Sequence, residues 1–180
     1  MPAPLTAASF SRRLVSETGA AVAPAGFERV RGRPTFVRRN EDTIELLNLQ
    51  RSSYSVAFYL NYGIWLRCLG RPAALREELF HVRLRGDEFM RSKRKLQARL
   101  TMESGQDEGL GSLLAREFLP FAERGRSLVG VRGALRRGLL SDALIVVEAR
   151  RRLTARATPR IIGSRESRAA AARALDTRRG

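Results

Sequence analysis

The sequence is poor in the residues on which most recognisable protein chemistry depends. It holds one cysteine, Cys68, and one histidine, His81. That excludes a disulfide framework, a Cys/His zinc finger and any two-histidine metal motif, and neither a metal nor a cofactor is expected. No apolar run exceeds five residues (56–60 and 143–147), far short of a membrane-spanning helix, so no membrane association is expected. A phosphate-binding Walker loop is missing. The one partial dinucleotide fingerprint fails because Leu114 stands where its third glycine belongs. No Gly-x-Ser-x-Gly elbow exists for a serine hydrolase of that class.

Lysine is scarce too, and this shapes the charge. Lys93 and Lys95 are the only lysines among 34 basic residues, against 18 acidic ones, for a net charge of +16. An arginine bias of this kind follows from G+C-rich coding alone. Its distribution is uneven, however: residues 1–90 carry 13 basic and 9 acidic side chains, and residues 91–180 carry 21 and 9. Half of the excess lies from Arg150 onward. Charge gathered in one tail points to an anionic partner more than an even scatter would.

With 180 residues and 43% apolar content, the chain is long enough for one packed core. Thr6 is placed to cap a helix over residues 6–22, in which Phe10, Leu14 and Ala21 recur at helical spacing. The Arg12-Arg13 pair superficially resembles an export signal, but Glu17 interrupts the apolar stretch and an amphipathic helix explains the same residues. From Phe27 the period changes to two, predicting strands at 27–31, 34–39, 43–51, 54–67 and 79–85. In the fourth, Tyr54, Val56, Phe58, Leu60, Tyr62, Ile64 and Leu66 share a face. In the fifth, Phe80, Val82 and Leu84 oppose His81, Arg83 and Arg85. Residues 100–109 read as a loop. Helices are expected over 110–121, bent or ended by Pro120, over 127–137, and from Ser141 to about Leu153. The expected architecture is α+β: an N-terminal helix, an antiparallel meander of about five strands, and C-terminal helices packed on one sheet face. Residues 1–153 form one domain, and 154–180 are an Arg/Ala-rich basic tail.

Several segments in this order resemble a family of mostly bacterial proteins known as domain of unknown function 4304. They are Ala25-Gly26-Phe27, then Phe36-Val37-Arg38-Arg39, then Ile44-Glu45-Leu46-Leu47-Asn48-Leu49-Gln50-Arg51-Ser52. Phe58-Tyr59-Leu60-Asn61-Tyr62-Gly63-Ile64 follows, then His81-Val82-Arg83-Leu84-Arg85-Gly86 and Phe118-Leu119-Pro120-Phe121. The resemblance runs from residue 6 to about 137. It implies an α+β domain of this kind and carries no activity with it.

Two sets of residues are candidates for function, and no catalytic residue is assigned. Alternation places Arg38, Gln50, Asn61, His81, Arg83 and Arg85 away from the apolar face, together with Asn48, Tyr59 and Trp65. Such a surface suits a small anion or a stacked base, or is a solvated outer face that fixes strand register. The second set is basic: Arg91, Lys93, Arg94, Lys95 and Arg99, with Arg150, Arg151 and Arg152 leading into the tail. It suits a nucleic-acid backbone. Cys68 is expected to be a small core or edge residue, and the pairs Glu77-Glu78 and Asp87-Glu88 a solvated surface. The leading expectation is a cytoplasmic, non-enzymatic domain that binds another protein. A nucleic-acid-associated protein and a small-anion binder or enzyme stand as alternatives, and oligomeric state is not legible.

Overall fold

The computed structural model describes residues 6–101 and 109–155. The tail expected over 154–180 lies outside the described residues from 156 onward, as does most of the loop expected at 100–109. Helix α1 (Ala7–Val22) starts where Thr6 accepts a hydrogen bond from the Ser9 amide and Ser9 Oγ accepts one from the Thr6 amide. This reciprocal cap satisfies two amides that have no partner within the helix. Its buried residues Phe10, Leu14, Val15, Thr18 and Val22 form one stripe. The chain leaves the helix through Gly26, whose φ of 87° is one that other residues rarely adopt.

The sheet is a six-stranded antiparallel meander in sequence order: β1 (Glu28–Arg29), β2 (Thr35–Arg39), β3 (Thr43–Arg51), β4 (Phe58–Leu66), β5 (Val82–Arg85) and β6 (Leu144–Ile145). β3 and β4 form its spine, paired from Thr43↔Leu66 to Arg51↔Phe58. Between β5 and β6 the chain builds the helical layer. It comprises α2 (Gly86–Phe89), α3 (Lys93–Leu100), α4 (Leu110–Leu113), α5 (Leu119–Ala122) and α6 (Leu128–Arg136), and α7 (Val147–Thr154) follows β6. The fold is therefore α+β, as the alternation and helical periods indicate.

Phe58, Leu60, Tyr62, Ile64 and Leu66 of β4 face the helices and join the main core with Phe10, Phe89 and Phe118. Each such large apolar side chain contributes about 1.5–3 kcal/mol on full burial. Edge-to-face ring contacts tie the layers, with Tyr62 5.3 Å from Phe118 and Phe10 5.8 Å from Phe58. A smaller apolar cluster covers part of the opposite face: Val37, Leu46 and Phe80, with Val30, Ile44, Trp65 and Leu75. Phe80 packs against Gly63, where any Cβ would come within 3.0 Å of its side chain.

Several local expectations are corrected. β4 begins at Phe58, not at 54, because residues 52–57 turn the chain from β3; Tyr54, expected in the core, is 99% exposed. Phe80 precedes β5 and escapes its alternation, so it covers the outer face while Val82 and Leu84 enter the main core. Lys93–Leu100 is a helix that buries Leu96 and Leu100. The stretch from Ser141, read as one helix, first makes β6 and turns helical only at Val147. Pro120 does not end its helix, for a π-turn at Leu114–Phe118 precedes it and the chain continues through Ala122. Cys68 is exposed, in a turn after β4.

Candidate functional site

Arg38 does not join the outer polar face to which simple alternation assigns it. It shares parity with Phe36, so its side chain enters the helix-facing core and is 2% exposed. Its cross-strand partner there is Glu45, and two parallel bonds join them, Nε to Oε2 at 2.7 Å and Nη2 to Oε1 at 2.9 Å. The remaining guanidinium donors reach Glu123 Oε1 at 2.7 Å and the carbonyls of Ala25 at 3.1 Å and Ala122 at 2.8 Å. The Phe27 ring lies 4.6 Å below the guanidinium. Glu45 also accepts from the Tyr62 hydroxyl at 2.5 Å and from Asn40 Nδ2 at 2.7 Å.

This network contains strong electrostatic perturbations. Burial pushes the Tyr62 hydroxyl well above its usual pKa, reinforced by Glu45, so it stays a donor. Burial disfavours the charge of Arg38, but the carboxylates of Glu45 and Glu123 outweigh it and raise its pKa. For Glu123, burial is likewise outweighed, by the hydrogen bond and charge of Arg38, and its pKa falls. Its groups bond to one another and to the chain segment after α5. Thr43 Oγ1 adds a 2.8 Å bond to the Gly125 carbonyl. What the arrangement does physically is anchor residues 122–125 onto the sheet, with bidentate geometry fixing the register of β2 on β3.

On the outer face, Gln50, Asn61, Arg83 and Arg85 do come together, around a cavity of about 220 Å³. Asn61 Nδ2 donates to Gln50 Oε1 at 2.8 Å. Arg85 stacks over Tyr59 at 5.2 Å, and Arg83 Nη1 donates to the Glu78 carbonyl at 3.2 Å. Arg83 Nε is buried with no hydrogen-bond partner. Glu77, Glu88 and Asp142 complete the rim, and burial raises the pKa of Glu77 against the opposing charge of Arg83. Alternation cannot reveal these acids, because they reach the site from turns and helix ends, not from the strands.

His81 lies just outside this cavity's lining. Its ring stacks on Trp65 with centroids 3.8 Å apart, and Nδ1 accepts the Leu66 amide at 3.0 Å, which leaves the proton on Nε2. Burial lowers its pKa below the ordinary 6.5, with Glu148 opposing. The unfolded chain therefore binds this proton more readily, so the stabilisation is complete above 6.5 and is lost as pH falls through the lowered folded value. The urea midpoint should drop between pH 7.5 and 5.5, and drop less in His81→Gln. An equal drop in the variant would remove His81 as the cause.

The basic residues divide. Lys93, Arg94 and Lys95 are on the exposed side of α3 and Arg99 is half-buried, whereas Arg150, Arg151 and Arg152 are exposed on α7. α3 packs against β4 and α4, and α7 against α6, so the two stretches have different neighbours. Arg91 lines a separate cavity beside α5. Among the described residues no helix is long and apolar enough to cross a membrane.

Neither a curated protein nor a solved structure matches the chain. A family model does match, over residues 19–107, a shorter span than the resemblance at 6–137 and one that leaves out Phe118-Leu119-Pro120-Phe121. It takes in the last turn of α1 and the strands β1 to β5, which carry the Arg38–Glu45 pair and most of the outer cavity, while Asp142 and Leu144 of that cavity lie outside it. Through that segment the chain is similar to the family described as Domain of unknown function (DUF4304).

Proposed function

We propose that this is a non-enzymatic domain of the bacterial cytoplasm that engages a protein partner through the outer face of β3, β4, β5 and β6. The observation that carries this reading is the cavity bordered by Gln50, Asn61, Arg83 and Arg85. Its lining sets two guanidiniums against three carboxylates, a balance that suits the side chain of a mixed protein surface better than a small anion. Around it stand Tyr59 and Leu144, both exposed, and aromatic residues and arginine are the types enriched where protein interfaces bind most strongly. β6 is also a sheet edge, only two residues long.

The test is a photo-crosslinking residue placed at Tyr59 in the full chain, in cells. One protein species should be captured, and its binding to the purified chain should weaken about tenfold or more in Arg85→Glu and stay unchanged in Lys93→Glu. Crosslinks that match those from a probe at Val129 would end the reading. A second reading, nucleic-acid binding, draws on the basic solvent face of α3 and on Arg150, Arg151 and Arg152. It requires affinity for generic RNA or duplex DNA that falls steeply with salt and that weakens when Arg150, Arg151 and Arg152 are replaced by glutamine.

A further inference from the structure

A second cavity, of about 420 Å³, opens beside α5 and differs in character from the one on the sheet. Its volume lies within the range of small-molecule sites, about 300–1,000 Å³. Phe89 of α2 and Phe121 of α5 form its apolar side, their rings stacked 5.3 Å apart and 18° from parallel. Leu139 and Pro120 extend that surface. The charged lining comes from three guanidiniums, Arg91, Arg116 and Arg124, and one carboxylate, Glu117.

The carboxylate is already committed. Glu117 accepts from the Ser92 amide at 2.9 Å and from Ser92 Oγ at 2.5 Å, and Arg116 Nη2 lies 3.5 Å away. Burial opposes its charge, but these hydrogen bonds outweigh that and hold its pKa below the usual carboxylate range. It remains an anion, and among the lining residues guanidiniums outnumber carboxylates three to one. Arg124 is held in place by a 2.9 Å bond from Nη1 to the Pro120 carbonyl, so part of the cationic wall is oriented before any ligand arrives. Planar guanidiniums beside an apolar wall match a phosphate group attached to an apolar body. The head is a near-dianion at neutral pH suited to bidentate arginine contacts, and the body covers the phenylalanines.

We infer that this cavity binds a small phosphate monoester with an apolar or aromatic body, with Arg91, Arg116 and Arg124 holding the phosphate and Phe89, Phe121 and Leu139 the body. This is independent of the protein-partner surface, which lies on the other side of the sheet.

Titration calorimetry on the full chain, with phenyl phosphate, inorganic phosphate and phenol as probes, tests head and body separately. Phenyl phosphate should bind about tenfold more tightly than inorganic phosphate, and phenol should show no binding at the same concentrations. Arg91→Ala and Arg116→Ala should each weaken phenyl phosphate about tenfold. Lys93→Ala removes the same charge from neighbouring α3 and should change it less than twofold. Leu139→Ala should narrow the preference for phenyl phosphate over phosphate while leaving phosphate itself unchanged. Equal affinity for phosphate and phenyl phosphate, or arginine variants indistinguishable from Lys93→Ala, would overturn the assignment. So would a phosphotyrosyl peptide binding far more tightly than phenyl phosphate, since the ligand would then be a protein segment. Thermal unfolding of each variant separates lost binding from lost folding.

Discussion

Glu45→Ala is expected to lower the unfolding free energy by about 3–5 kcal/mol, the usual cost of removing one member of a buried ion pair. The carboxylate is fully buried and takes two bonds from Arg38, one from Tyr62 and one from Asn40. Its removal leaves a guanidinium in the core with Glu123 as its remaining carboxylate and a tyrosine hydroxyl without an acceptor. The loss should exceed what the deleted methylenes explain. Arg38→Met combined with Glu45→Leu should recover much of the stability, since replacing both charges by apolar groups of similar volume is often close to neutral. Urea unfolding at pH 7 with an unchanged slope is the measurement. A loss below about 1 kcal/mol for Glu45→Ala, a value typical of surface pairs, would show that the pair is not sealed in the core.

Gly125→Ala should cost about 1–3 kcal/mol, the range for forcing extra atoms into a packed interior. The added methyl would fall on the Tyr62 hydroxyl oxygen and come within 2.6 Å of Glu45 Oε1. Gly125 thus lets the backbone approach these two groups, and the hydrogen bond from Thr43 Oγ1 to its carbonyl holds it there. If overlap with the hydroxyl is the cause, Tyr62→Phe should relieve part of it. The double variant should then be more stable than the sum of the single losses predicts, by about 0.5 kcal/mol or more, as expected for residues in contact. Simple additivity would place the strain elsewhere, for instance in the 3₁₀ turn at Glu123–Arg126.

Both results concern a part of the molecule that strand alternation misassigns. Phe36, Val37 and Arg38 read as apolar, apolar, charged, and the ordinary preference sends the arginine outward. The clue lies across the sheet: Glu45 shares the parity of Leu47 and Leu49, both core residues, and faces Arg38 in the register of β2 on β3. A lone acid on an apolar strand face is a sign that a cation will be brought in to meet it. Finding that cation requires the register, and finding Glu123 requires the helical layer, since 85 residues of chain separate it from Arg38.

The outer cavity was half visible. Gln50, Asn61, Arg83 and Arg85 lie on three consecutive antiparallel strands, so period-two alternation is enough to put them on one side. Glu77, Glu88 and Asp142 arrive from turns and helix ends that carry no such period, and they reverse the charge balance that the strand residues alone imply. The pocket beside α5 was less legible. Arg91 belonged to an evident basic run, but Arg116 and Arg124 meet it only because α5 packs against α2.

Where neighbours in sequence set the physics, the chain spelled out its own structure. The Thr6 cap, the stripe of α1, the inward face of β4 from Phe58 and the long β3–β4 pairing all follow from local spacing and the burial of alternate apolar groups. Contacts between distant segments settled the rest. They drew Arg38 into the core, packed Phe80 against Gly63, turned 144–145 into an edge strand and gathered three arginines around Phe89 and Phe121. In each case the energy that decides the outcome comes from partners far along the chain, and no local period encodes them.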